Sequence, residues 1–216
     1  KKGSKCYNSD MKHHYYKRQG FTLAEVLITL GIIGVVAALV IPAKIESYQK
    51  KRVEVKLEKF YSTFNQALRR SVEENGSMQG WVYSGWYDSE GSKIFWQKYL
   101  EPYFSYVETK ENSWAVWPTT GYEVLLQDGS SFNISGTWIT FYPNAKNSGN
   151  REKTWRTTFL FLVHKDKNAI LPYGMTNSSG NLYIECNKNN PYQSASKSCA
   201  ALIMKNGWKI PENYPW

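Results

Sequence analysis

Histidine and cysteine are scarce in this 216-residue chain, three of each, and the scarcity removes whole classes of chemistry. His13 and His14 lie within the first twenty residues, so over the rest of the chain only His164 is left to serve a Ser-His-Asp or Cys-His arrangement. No CxxC, HExxH, Walker or GxGxxG sequence occurs, which leaves zinc-protease, P-loop and dinucleotide-binding readings without a motif. The acids are scattered, Asp88 with Glu90 and Glu108 with Glu111, and the polar loop 143–153 holds Glu152 as its one acid. We therefore expect a non-catalytic protein without a metal site or cofactor. So few cysteines exclude a disulfide-dense scaffold. A charged fraction of 21% beside an aromatic fraction of 16% excludes a disordered chain.

What the chain does have is aromatic residues and a basic start. All nine Trp fall between Trp81 and Trp216, in a region long enough to bury a core. The net charge is +9, but residues 1–20 carry six basic residues and one acid. Residues 21–216 hold 21 basic against 17 acidic residues and so carry +4. Nucleic-acid binders gather Lys and Arg on the folded domain, so nucleic acid is a possible partner but not a favoured one. A basic leader points to targeting instead.

From Phe21 to Ile41 runs FTLAEVLITLGIIGVVAALVI, 21 residues with one charge, followed by Pro42 and the polar stretch KIESYQKKR. As a helix this run is roughly 30 Å long, about the thickness of a bilayer core. It exceeds the apolar centre of about 7 to 15 residues of a secretory signal peptide. Glu25 lies inside it, and a carboxylate in lipid calls for a partner or a function. The alternative is a helix-end Glu reaching the headgroups. Flanking charge does not orient the segment. Six basic residues precede it, among them Lys17 and Arg18, and six follow between Lys44 and Lys59.

Lys17-Arg18-Gln19-Gly20 followed by Phe21-Thr22-Leu23-Ala24-Glu25 resembles the processing site of type IV prepilins and type II secretion pseudopilins. The resemblance covers about residues 17–50. It implies that a prepilin peptidase cuts after Gly20 on the cytoplasmic side and methylates the new amine of Phe21. It also implies that Glu25 meets that amine on a neighbouring subunit during assembly. Gly31, Gly34 and Pro42 weaken the helix and would let it bend or unwind as subunits pack; close helix packing is the other reading of the two glycines. The implied partners are the peptidase, other pilin or pseudopilin subunits in a homo- or hetero-polymer, the inner-membrane assembly platform and the lipid bilayer. The implied location is the bacterial inner membrane, single-pass, with the N-terminus cytoplasmic and the C-terminal domain exported, and then the filament. Removal of the leader with Cys6 leaves Cys186 and Cys199. We expect these to form a disulfide, the alternative being two buried free thiols.

Past the apolar run, Val53, Leu57, Phe60, Phe64, Leu68 and Val72 form an amphipathic stripe that Asn75-Gly76 stops. Ser92 to Leu100 is predicted helical, ended by Pro102. Tyr122 to Leu126 and Ser131 to Ile134 flank Asp128-Gly129 as a hairpin. Further strands are expected at Trp138 to Tyr142, Thr157 to His164 and Ala169 to Pro172, with loops at 143–153 and 176–181. The C-terminal CAALIMKNGWKIPENYPW is read as a tail packed on the sheet. The fold class is therefore α+β, a long N-terminal transmembrane-plus-amphipathic helix packed on an antiparallel β-sheet domain. The parts are a leader (1–20), an assembly helix (21–42), an amphipathic helix (43–75) and a β-rich head (76–216). Trp81, Tyr83, Trp86 and Tyr87 are the best candidates for a ligand-binding aromatic surface.

These features lead to a structural subunit of a type IV pilus or pseudopilus. The alternatives are a DNA-uptake or adhesion subunit, and an anchored periplasmic sugar-binding or enzymatic module.

Overall fold

A computed structural model describes residues 20–114, 120–150, 154–175, 182–186 and 197–216. The leader up to residue 19, with Cys6, and the loop expected at 176–181 lie outside the described residues. The chain divides into two units, 1–46 and 47–216.

Helix α1 (Leu23–Asn75) is one α-helix, with Pro42 inside it. In the second unit its stripe carries the core. Val53, Leu57, Phe60, Phe64 and Leu68 are buried and Val72 packs against their cluster. Phe60 stacks on Phe141 at 4.2 Å and tilts against Phe132 and Phe161 at 5.5 and 5.4 Å. Such aromatic pairs add about 0.5–1.5 kcal/mol each beyond the area they bury. Helix α2 (Ser89–Tyr99) starts earlier than its apolar pattern indicates, because the Asp88 carboxylate accepts from the Gly91 amide at 2.8 Å and caps it. Its Phe95, Trp96 and Tyr99 enter the same core.

Among the described residues six strands form one antiparallel sheet in sequential order: β1 (Tyr106–Trp114), β2 (Thr120–Leu126), β3 (Ser131–Ser135), β4 (Trp138–Tyr142), β5 (Phe159–His164) and β6 (Ala169–Pro172). The Asp128-Gly129 hairpin pairs Tyr122 with Ile134 and Val124 with Phe132. Gly129 takes φ +75°, the left-handed region that this turn needs. Asp128 accepts from the Ser130 amide at 3.0 Å and from its hydroxyl. Burial raises the Asp128 carboxyl, but those two hydrogen bonds with the nearby Lys56 and Lys59 ammoniums outweigh it, and the net direction is below the ordinary value. Lys56 fastens α1 to the sheet by donating to the carbonyls of Asp128 and Pro143 at 2.7 and 2.8 Å.

Two features depart from the expectations, and the strand expected from Thr157 starts only at Phe159. β1 was not foreseen, because Tyr106–Trp114 (YVETKENSW) is polar and lies at the edge of the sheet, with most of its side chains exposed. The C-terminal tail contains a helix, α5 (Cys199–Lys205), whose Ala200, Ala201, Leu202 and Ile203 are buried. β3 is buried along its whole length. On one face Phe132 and Ile134 enter the core. On the other, Ser131 and Ser113 donate to the buried Glu123 carboxylate at 2.7 and 2.8 Å. Gly121 permits close strand approach there, since a Cβ would lie 2.1 Å from the Ile134 carbonyl oxygen. The second unit also contains two short helices, α3 (Thr154–Thr157) and α4 (Leu182–Glu185).

Candidate assembly site on the N-terminal helix

The described part of the first unit begins at Gly20, followed by an exposed Phe21 and the start of α1. Thr22 and Glu25 close the helix start reciprocally. The Glu25 carboxylate accepts from the Thr22 amide at 2.8 Å and from its hydroxyl at 2.9 Å, while the Glu25 amide donates to the Thr22 hydroxyl at 3.2 Å. This is a capping box, in which Thr and Glu three positions apart satisfy donors that the first turn leaves unpaired. The T-x-x-E spacing was visible in the sequence and went unread there. Glu25 therefore has a local partner within its own chain and remains exposed.

Around and beyond it Leu23, Leu27, Leu30, Ile33 and Leu39 are all at least 60% exposed. The helix is long and apolar enough to cross a membrane, and none of its apolar window is buried. A Cβ added at Gly31 or Gly34 would meet nothing within 4 Å, so no contact among the described residues requires glycine there. Pro42 has no N–H for the Ala38 carbonyl, yet the helix runs through it.

In the second unit Cys186 and Cys199 form a disulfide with Cα atoms 4.9 Å apart. It ties the end of α4 to the start of α5, where the Ser198 hydroxyl also donates to Glu185. The candidate aromatic surface is split. Trp81 stacks on Tyr99 at 4.3 Å and donates to the Gly76 carbonyl, and Tyr83 packs on Phe95 and donates to the Met78 carbonyl, so both belong to the core. Burial pushes the Tyr83 phenol up to about 12, with Tyr99 adding to the shift. Trp86 and Tyr87 stay 58% exposed, Trp86 against Trp138 at 5.4 Å.

A model of a family described as a family of unknown function, DUF6613, matches residues 43–216, most of the chain. The chain belongs to that family. In this DUF6613 member, residues 15–41 also match the prokaryotic N-terminal methylation motif, so it carries a type IV prepilin-like signal. That motif implies processing by a prepilin peptidase and assembly with other pilins. Together with the apolar helix, it fits a membrane-anchored precursor of pilin or pseudopilin type. No curated protein and no solved structure matches the DUF6613 member.

Proposed function

We propose that the chain is a structural, non-catalytic subunit of a type IV pilus or type II secretion pseudopilus. It is cleaved after Gly20, methylated on Phe21 and polymerised through its N-terminal helix. The observation that carries this reading is the methylation motif at 15–41 opening a helix whose apolar window is not buried among the described residues. Isolated in water that surface is unfavourable, and lipid first and sister subunits afterwards are the environments that suit it. The exported orientation draws support from the Cys186–Cys199 disulfide, since such bonds persist in oxidising compartments. Glu25 would exchange its Thr22 contacts for the methylated amine of a neighbour, a pairing that lowers the cost of a charge in lipid.

Co-expression with a prepilin peptidase tests the first step. Mass spectrometry of the mature N-terminus should find residues 1–20 removed and Phe21 methylated, and replacing Gly20 by Leu should block the cut. An intact leader, or a mature protein beginning at Lys44, would overturn the proposal.

A further inference from the structure

Within the second unit, four stretches of chain meet around a cavity of about 330 Å³: α1 at Gln49 and Arg52, the turn after β4 at Asn144 and Asn147, α3 at Arg156, and the C-terminal segment at Trp216. Its lining holds two guanidiniums and three carboxamides and no carboxylate side chain. Neither arginine has a carboxylate partner among the described residues. Glu54, the acid nearest to Arg52 in sequence, is committed elsewhere. It accepts from the Ile210 amide at 2.9 Å and lies 3.5 and 3.6 Å from the ammoniums of Lys51 and Lys209.

Two donors of the lining are buried without an acceptor among the described residues, Arg156 Nε and Trp216 Nε1. Folding away unmet donors is costly, and an acceptor arriving from outside removes the cost. The Asn144 side-chain oxygen already accepts from the Lys146 amide at 3.2 Å. Arg156 also lies over the Trp216 ring, 5.2 Å from its centroid, and Lys50 approaches the same ring at 5.8 Å. Planar guanidinium forks match the oxygens of phosphate better than any other common group.

We propose that this cavity binds a phosphate-bearing anion, gripped by Arg52 and Arg156. The phosphate has two possible sources, the headgroup of an anionic lipid and a free phosphate ion. The site is independent of the pilin reading, because every lining residue lies in the second unit.

The test uses the full chain in a neutral detergent and calorimetry with three probes: inorganic phosphate, dihexanoylphosphatidylglycerol and, as zwitterionic reference, dihexanoylphosphatidylcholine. At least one of the two anions should bind saturably at one site per chain, and the pair Arg52→Gln with Arg156→Gln should weaken it at least tenfold. Binding of inorganic phosphate supports a site for the free ion, whereas binding of phosphatidylglycerol without inorganic phosphate supports a lipid headgroup site. Lys59→Gln, outside the cavity, should bind as the parent does. If the glutamine pair loses its near-ultraviolet circular dichroism, the pair Arg52→Lys with Arg156→Lys replaces it. That pair keeps the charge without the planar fork, and the anion should bind it several-fold more weakly. Four results would each overturn the proposal: no saturable anion binding, equal binding of phosphatidylcholine, unchanged affinity in a folded arginine variant, or an equal loss in Lys59→Gln.

Discussion

Under the proposed function Glu25 would serve two arrangements, which a pair of substitutions separates. In the single chain its carboxylate completes the cap with Thr22, and in the proposed filament the same oxygens would meet the amine of a neighbour's Phe21. Glu25→Val removes both contacts and should abolish or sharply reduce incorporation into sheared filaments, while cleavage after Gly20 continues and the head stays folded. Thr22→Val removes only the hydroxyl. It should fray the helix start at a cost of about 0.5–2 kcal/mol and leave incorporation largely intact. Equal loss from both would show that the cap, not the ion pair, governs assembly. His164 supports a pH prediction. Burial lowers its imidazole, Lys167 adds to that and Asp166 opposes it. Between the depressed folded value and the ordinary one of about 6.5, the unfolded chain holds the extra proton. His164 therefore contributes stability that is complete above about 6.5 and is lost as pH falls through the folded value. In His164→Gln the fall of melting temperature from pH 7 to pH 5 should be shallower than in the parent; an identical slope would refute it.

At the scale of elements, the two sheet edges are handled differently. β1 presents Glu108, Lys110 and Glu111 along an exposed edge, where charge discourages pairing with a second sheet. β6 is covered by α1. The Asn65 amino group donates to the Ile170 carbonyl at 3.3 Å and its oxygen accepts from the Ile170 amide at 2.9 Å, so one side chain takes the place of a neighbouring strand. Asn65→Leu would keep an apolar stripe on paper, yet leave both backbone groups of Ile170 buried and unmet. We expect a loss of about 1–3 kcal/mol for each group, read by denaturant unfolding. A variant as stable as the parent would show that water replaces the amide. The amphipathic period of α1 marks its face but not this exception, because a buried Asn reads as a break in the stripe until its strand partner is known.

For the molecule as a whole, the disulfide joins fold to compartment. Replacing both Cys186 and Cys199 by Ala releases a loop of about 15 residues, worth about 3 kcal/mol in the chain-entropy model. The lower melting temperature should appear only against oxidised parent protein. Protein from the exported fraction should resist alkylation until it is reduced. Thiols that label without reductant would remove the main support for an exported head.

The prepilin-like segment, the α1 stripe, the Asp128-Gly129 hairpin and the strands from β4 to β6 were legible because their information is local. The methylation motif is a short run of neighbouring residues, 15–41, and a tight turn is set by the backbone freedom of its own two residues. Packing settled the rest. The polar YVETKENSW is a strand because β2 offers it hydrogen bonds, and the C-terminal tail forms α5 because the core accepts its Ala and Ile side chains. Half of the aromatic surface read between Trp81 and Tyr87 lies in the core, since α2 folds back over Trp81 and Tyr83. Arg52 and Arg156 carry no mark of one another in the sequence. They line one cavity because the fold brings α1 and α3 to it, and the energy of that approach depends on distance in space rather than on separation along the chain.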